Sequence, residues 1–285
     1  MMLKFISSVR DLLIPGRCVV CGERLLRSER HVCLSCLADM PYTYFWTTPH
    51  NKMADAFNDL IQRNLAADAP YEPYSRATAL FYYQGDYEHL TKAVKYGGDA
   101  PLGVWLGMRL GERLVDAGLV GRRDSGLAGG PGDSLPPVTA VIPVPMHWRR
   151  RWKRGYNQAE LIAKGVAEVI GAPLRTDILR KLRATGSQTA LTQQERLINV
   201  SAAFQANRAA MASLRGRFPV KPGMTSSQVV PGMTHILLVD DVFTTGATLF
   251  ACRQALLQAI NTDGLETDKN APGLMVSVAT VAYAQ

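Results

Sequence analysis

Two adjacent aspartates followed by small hydroxyl residues form the strongest chemical signal in the sequence. Asp240 and Asp241 come directly after the apolar run 236–239, which predicts that they end a buried parallel strand. The segment 242–248 then precedes a predicted helix, so backbone amides, threonine hydroxyls and the helix amino terminus can converge on a phosphate. Carboxylates beside such a cradle fit a sugar phosphate, whose hydroxyls donate hydrogen bonds and whose ester is anionic.

The predicted sugar-phosphate site has nine residues: Asp240, Asp241, Val242, Phe243, Thr244, Thr245, Gly246, Ala247 and Thr248. Gly246 permits the positive φ or close backbone approach that such a loop requires. The alternative interpretation is an ordinary strand-to-helix turn with exposed acids. Adjacent carboxylates are not needed for folding at that position, which favours the binding site.

Four of the five cysteines form a second signal, as two Cys-x-x-Cys pairs: Cys18, Cys21, Cys33 and Cys36. This spacing lets four thiolates converge tetrahedrally on one zinc ion. So short a segment buries too little apolar surface to fold alone, so the metal is expected to be structural. Disulfides are disfavoured because no secretory signal is recognised and a reducing cytoplasmic location is expected. Unliganded cysteines, or a site that has lost its metal, are the alternatives.

A basic segment with interleaved aromatic residues follows the predicted strand 138–144. Cations beside flat rings suit single-stranded nucleic acid, where phosphates pair with Arg or Lys and bases stack at about 1–3 kcal/mol each. The same cations could grip a diphosphate, and a solvated basic face with its tryptophans packed on the core is the third interpretation. The nucleic-acid candidates are Trp148, Arg149, Arg150, Arg151, Trp152 and Tyr156, and Lys153 and Arg154 are diphosphate candidates.

A polar stretch at 183–199 supplies three further diphosphate candidates, Gln188, Arg196 and Asn199. Arg196 and Asn199 are three residues apart, so they share a face if the stretch is helical. A capped surface helix without a ligand is the alternative. Cys252, in the helix predicted after the phosphate loop, is expected to be a buried small apolar residue.

Alternating strand and helix patterns predict an α/β fold with a mostly parallel sheet flanked by helices. Strand patterns occur at 77–83, 138–144, 235–241 and 274–283, and helix patterns at 54–67, 88–96, 102–117, 158–170 and 249–260. The predicted domains are 1–45, an amphipathic segment with the zinc module, 46–75, a linker with a helix, and 76–285, the α/β domain. Within the last, 121–137 is predicted to be a flexible linker loop and 211–234 a low-complexity insert.

Composition and charge narrow the function classes. Hydrophobic residues make up 47% and charged residues 20%, as in globular proteins with a packed core. No apolar run reaches the roughly 18 residues of a transmembrane helix, so no membrane span is expected. A formal net charge of +8 favours a polyanionic partner such as nucleic acid or a phosphorylated ligand.

The strand followed by Asp-Asp-Val-x-Thr-Thr-Gly-x-Thr resembles the signature of type I phosphoribosyltransferases. The resemblance implies that Asp240 and Asp241 hold the ribose hydroxyls of phosphoribosyl diphosphate and that 243–248 wrap its 5′-phosphate. It also implies Mg²⁺ with the diphosphate. The polar stretch 183–199, together with Phe204, resembles the hood region that covers the diphosphate in relatives of amidophosphoribosyltransferase.

Together these motifs resemble the ComF family of competence-associated proteins over nearly the whole chain. The resemblance rests on the paired cysteines, Val-Pro-Met-His-Trp-Arg-Arg-Arg, Lys-Arg-Gly-Tyr-Asn-Gln, the polar stretch and the Asp-Asp loop. It implies a phosphoribosyltransferase-like domain, a zinc module and handling of single-stranded DNA in natural transformation, with DNA-uptake helicase or channel proteins as partners. The alternative is an active transferase that moves ribose 5-phosphate to a base or amine. No catalytic residue is identified, because catalysis in this fold depends on positioning and electrostatics.

Overall fold

A computed structural model describes residues 16–65, 74–118, 135–182, 203–214, 233–261 and 273–284. Within these ranges a parallel sheet has the strand order β1-β6-β5-β2. Its strands are β1 (Ala77–Tyr82), β2 (Ala140–Pro143), β5 (Thr234–Phe243) and β6 (Leu274–Tyr283). A separate antiparallel pair joins β3 (Leu179–Lys181) and β4 (Phe204–Ala206). The predicted α/β fold with a mostly parallel sheet is confirmed.

The described helices are α1 (Leu34–Ala38), α2 (Lys52–Gln62), α3 (Glu88–Tyr96), α4 (Ala100–Asp116), α5 (Trp148–Arg154), α6 (Gln158–Ile170), α7 (Arg208–Ala212) and α8 (Ala247–Asn261). The predicted bounds of α3 and α6 are confirmed. Helix α4 begins two residues earlier than predicted, because Asp99 caps it by accepting a hydrogen bond from Leu102 N at 3.0 Å. Helix α5 was not predicted as a helix.

Two hydrophobic layers cover the faces of the parallel sheet. Successive strand residues point to opposite faces, so Ile236 and Leu238 pack into one layer while Leu237 and Val239 pack into the other. The first layer contains α2, α7, α8 and the β3–β4 pair. The second contains α3, α4, α6 and the cysteine module. Burial on both faces is the expected state of a parallel sheet, and it leaves the strand ends as the open edges.

The cysteine module packs directly against the second layer. Val20 and Val32 are buried in it, and Tyr87 donates a hydrogen bond from its hydroxyl to the carbonyl oxygen of Cys36 at 2.9 Å. Helix α2, from the predicted linker, buries Phe57 in the first layer. The domain boundaries at 45 and 75 stay a prediction.

Several predicted segments lie outside the described residues. These are the amphipathic start, most of the linker loop 121–137, most of the insert 211–234, and the hood candidates Gln188, Arg196 and Asn199. In the part of the chain that is described, no helix has the length and apolar character needed to span a bilayer.

Candidate functional site

Asp240 and Asp241 lie near the carboxyl end of β5 and point to opposite faces of the sheet. Asp241 Oδ2 lies 3.1 Å from Nζ of Lys95, at the end of α3. Asp240 is on the other face, where its charge partly offsets the lowering of the pKa of Lys181 in β3 by burial and by Arg150. Each acid therefore has a lysine on its own side of the sheet.

The environment of Asp240 disfavours its charge. Burial raises the pKa of Asp240 above its usual range, and the charge of Asp241 raises it further. The Asp241 N–H, which donates to Asp240 Oδ1 at 2.9 Å, opposes this rise. Asp241 is only 7% exposed, and its Oδ2 accepts no hydrogen bond from the described residues, although Lys95 is paired with it. A ligand that donates a hydrogen bond to Asp241 Oδ2 would satisfy this oxygen.

The loop after the acids is shorter than predicted. Val242 and Phe243 continue β5, because they pair with Ala282 and Tyr283 of β6. The Phe243 side chain is buried and its ring stacks on Tyr283, so this side chain packs in the core. The open segment between β5 and α8 is therefore 244–246; both of its threonines are exposed, whereas Gly246 is buried.

Gly246 ends this open segment with a φ of 73°, as its predicted role requires. A Cβ at this position would lie 2.8 Å from Cζ of Phe243, so a larger residue is excluded by both conformation and space. Helix α8 begins at the next residue, and the Ala247 N–H donates to Oγ1 of Thr245 at 3.4 Å. The first N–H groups of a helix lack intrahelical partners, so α8 directs donors and a positive dipole toward the loop.

The basic segment forms helix α5 at the same edge of the sheet, because it follows β2, the neighbour of β5. Its backbone is capped by His147, whose Nδ1 accepts a hydrogen bond from Arg149 N at 3.3 Å. Trp148 and Trp152 are 64% and 88% exposed. The interpretation in which these tryptophans pack on the core is therefore wrong. The Arg149 guanidinium lies 5.3 Å from the Trp148 ring centre, so a cation and an open ring are already paired.

Two further cations of α5 have partners on helix α6. Arg151 forms an ion pair with Glu160 at 3.1 Å, and Arg154 donates to Oε1 of Gln158 at 2.6 Å. Arg150 lowers the pKa of Lys181, which links the helix electrostatically to the acidic pair. Tyr156 is half-buried and its hydroxyl donates to the Val94 carbonyl at 2.6 Å, so this nucleic-acid candidate also fixes α3 to the α5–α6 connection.

The four cysteine sulfurs converge as predicted, since all lie within 4.8 Å of one another. Tetrahedral zinc with Zn–S bonds of about 2.3 Å places neighbouring sulfurs about 3.8 Å apart. The Cys21 and Cys33 sulfurs are 3.8 Å apart, so the donor set fits a zinc ion. The Cys33 N–H donates to Cys18 Sγ at 3.4 Å, which orients that thiolate. His31 is directed elsewhere, with Nδ1 3.5 Å from Asp99 Oδ2.

The predicted burial of Cys252 in α8 is confirmed. A small cavity of about 20 Å³ lies at the opposite, amino-terminal edge of the sheet, beside His235 and Ser277. Its position rules it out as part of the site around Asp240 and Asp241.

Comparison with known proteins gives several relatives. DNA utilization protein YhgH of Salmonella typhimurium is 26% identical over 247 residues, which cover 87% of this chain and 93% of that protein. Competence protein F of Haemophilus influenzae is 33% identical over 110 residues, which cover 39% of this chain and 40% of that protein. The resemblance to the ComF family is confirmed. No family model matches the chain.

Within this ComF-like chain, the structure adds two residues that the sequence motifs did not single out. Lys95 pairs with Asp241, and the Tyr96 ring lies 5.3 Å from the Arg154 guanidinium. The Lys-Tyr pair ends the predicted helix 88–96 just before two glycines, which is the signal that could have drawn attention to it. The contacts of this pair with β5 and α5 join segments that are distant in the sequence, so they depend on the order of the strands in the sheet.

Proposed function

We propose that the chain binds phosphoribosyl diphosphate with Mg²⁺ and single-stranded DNA, and that it acts in DNA uptake in the cytoplasm. The observation that carries the proposal is the pair Asp240 and Asp241, both near the carboxyl end of β5 and followed at once by an open loop and the start of α8. Relatives named for competence and for DNA utilization support the DNA-uptake role.

The acidic pair suits the ribose of the ligand. Oδ2 of Asp241 is buried and accepts no hydrogen bond from the described residues beside its ion pair with Lys95, and Asp240 is half-buried. The two carboxyl groups are proposed acceptors for two sugar hydroxyls. The carboxylate oxygens also fit a hard cation, and Mg²⁺ would neutralise charge on the diphosphate. Lys95 and Lys181 flank the pair, and Lys153, Arg154 and the hood candidates Gln188, Arg196 and Asn199 are proposed to serve the diphosphate.

The open loop suits the 5′-phosphate. The chain turns between the two acids and α8. At this turn, hydrogen-bond donors come from the exposed hydroxyls of Thr244 and Thr245 and from the first backbone amides of α8. Phe243 takes part only through its backbone, because its ring is buried. Gly246 keeps the loop close to α8.

The exposed face of α5 suits single-stranded DNA. Two open tryptophan rings offer stacking platforms, and the cations Arg149, Arg150 and Arg151 supply partners for phosphates. Zinc in the four-cysteine module is proposed to be structural, because the module supports α3 through Tyr87 and the carbonyl of Cys36. DNA-uptake helicase or channel proteins stay proposed partners.

Turnover stays the alternative. An active phosphoribosyltransferase would use the same acids and loop, and diphosphate release with a panel of nucleobases and amines would reveal it. No described residue is assigned to bond breaking.

The DNA-binding part is tested by fluorescence anisotropy with a labelled oligonucleotide at several salt concentrations. We expect salt-sensitive binding that weakens when Arg149, Arg150 and Arg151 become alanine. A matched triple variant, Lys52→Ala, Arg63→Ala and Arg109→Ala, removes the same charge from α2, its carboxyl end and α4 and should bind nearly as wild type. Equal loss in the two triple variants would show that net charge, and not α5, is responsible.

A further inference from the structure

Tyr96 places an exposed aromatic ring beside α5, in addition to the two exposed tryptophans of that helix. It is the last residue of α3, and 78% of it is exposed to solvent. The guanidinium of Arg154 lies 5.3 Å from the ring centre, and that guanidinium is itself held by a 2.6 Å hydrogen bond to Gln158. The Tyr96 ring therefore contacts a cation whose position is fixed, while most of the tyrosine remains accessible to solvent.

The backbone that bears Tyr96 is held on both sides. Lys95 Nζ lies 3.1 Å from Asp241 Oδ2, which attaches this turn to β5. The Tyr156 hydroxyl donates to the Val94 carbonyl at 2.6 Å, which attaches it to the α5–α6 connection. A ring on a fixed backbone loses little conformational entropy when a flat partner stacks on it. The last turn of α3 thus lies between the acidic pair and the basic helix.

We infer that Tyr96 is a base-stacking residue for single-stranded DNA. The inference rests on the proposed function and extends the nucleic-acid surface from α5 onto α3, next to the sugar-phosphate site. A nucleobase offers a π-face for the ring, and the phosphates on either side of that base can pair with Arg150, Lys153 and Arg154. An apolar protein partner is a poorer fit, because docking it here would desolvate these cations.

The test compares two oligonucleotides of equal length and charge, about fifteen thymidines and about fifteen abasic sites, which fits the site sizes of single-strand binders. In wild-type protein we expect tighter binding of the thymidine strand. Tyr96→Ala should weaken that binding by about fivefold or more and leave binding of the abasic strand unchanged. Tyr96→Phe keeps the ring and should bind as wild type, and Tyr96→Gln provides a second ringless variant if the alanine variant does not fold.

Tyr44→Ala is the matched control. Tyr44 is 61% exposed and contacts Tyr42 and Trp46, which lie near Arg113 toward the far end of α4. This variant should bind both strands as wild type does. Wild-type affinity for thymidine in the ringless Tyr96 variants, or an equal loss for both strands, overturns the inference alone. Failure of wild-type protein to bind either strand overturns the DNA part of the proposed function together with it.

Discussion

Lys95 Nζ lies 3.1 Å from Asp241 Oδ2, so a cation from the end of α3 faces one of the two adjacent acids near the end of β5. The side chains are only 24% and 10% exposed, which limits screening by solvent. Asp240 has no such partner within ion-pair distance among the described residues, and its charge is disfavoured by burial. Asp241 is therefore stabilised by an ion pair, whereas Asp240 is available for a ligand.

Removing the Lys95 ammonium group should leave the Asp241 carboxylate without its ion-pair partner and destabilise the fold. We predict that Lys95→Met lowers the free energy of unfolding by about 1–3 kcal/mol, because Asp241 is left charged and nearly buried. Adding Asp241→Asn should recover most of that loss, since the uncompensated charge is then gone. Urea unfolding of wild type, both single variants and the double variant gives the coupling. Additive effects of the two substitutions would contradict the ion pair.

Asp240 should oppose folding at neutral and alkaline pH. Its pKa in the folded protein is raised from an ordinary value of 3.8, so the folded state binds more protons than the unfolded state above that pH. Stability therefore falls as pH rises through this window. Asparagine imitates the protonated acid, so Asp240→Asn should stabilise the ligand-free protein by about 0.5–2 kcal/mol near pH 8.

The same variant should lose its advantage below about pH 4, where the wild-type acid is protonated in both states. Thermal unfolding of the wild type and of Asp240→Asn between pH 4 and pH 8.5 measures how the difference in their stability changes with pH. A variant that is less stable than wild type at pH 8 would show that Asp240 serves the fold and not a ligand.

His235 should make the protein sensitive to acid. Its Nδ1 lies 2.7 Å from the Pro136 carbonyl, which can only accept, so Nδ1 carries the proton and Nε2 accepts from the Ser277 hydroxyl at 2.9 Å. Burial lowers the pKa of His235 to about 4 from 6.5. The unfolded state then binds a proton that the folded state does not, so stability falls as pH drops from 6.5 toward 4.

The loss attributable to His235 should reach up to about 3 kcal/mol. His235→Gln does not titrate, so its stability should change less over this pH range than that of wild type. Denaturant unfolding at pH 7 and pH 4.5 measures both. Parallel pH profiles for the two proteins would contradict a neutral buried histidine.

Zinc should stabilise the amino-terminal module and the helices packed on it. We predict about one zinc ion per chain, lost in a Cys18→Ser and Cys33→Ser variant, with a clear fall in melting temperature. Cys252→Ser is the control, because that thiol is buried in α8 and away from the cluster. Metal analysis by mass spectrometry, with melting curves before and after chelation, distinguishes the cases. Full stability without metal would contradict a structural role.

Local sequence signals predicted most of the fold because the chain marks its own helix ends. Helix α6 begins after Asn157, which accepts a hydrogen bond from Ala159 N at 3.2 Å, and ends before Gly171, whose φ is 70°. The apolar runs of β5 and β6 are long enough to read as buried strands. Both signals depend only on neighbouring residues.

The site was predicted less completely because part of it depends on contacts between distant segments. Phe243 lies inside the predicted loop, but pairing with β6 extends the strand and buries its ring. Lys95 and Tyr96 carry no motif, and they reach β5 and α5 only through the strand order. Helix α5 has seven residues and buries none of them, so it lacks the core-facing apolar stripe by which hydrophobic periodicity identifies a helix.

The central claim is that Asp240 and Asp241 hold a phosphoribosyl ligand. Isothermal titration of the zinc-loaded protein with phosphoribosyl diphosphate and Mg²⁺ tests it most directly. We predict saturable binding at about one ligand per chain in wild type and in Asp59→Asn, a surface acid of α2. The variant with both Asp240→Asn and Asp241→Asn should remain folded and show no binding. Unchanged affinity in that double variant would contradict the account.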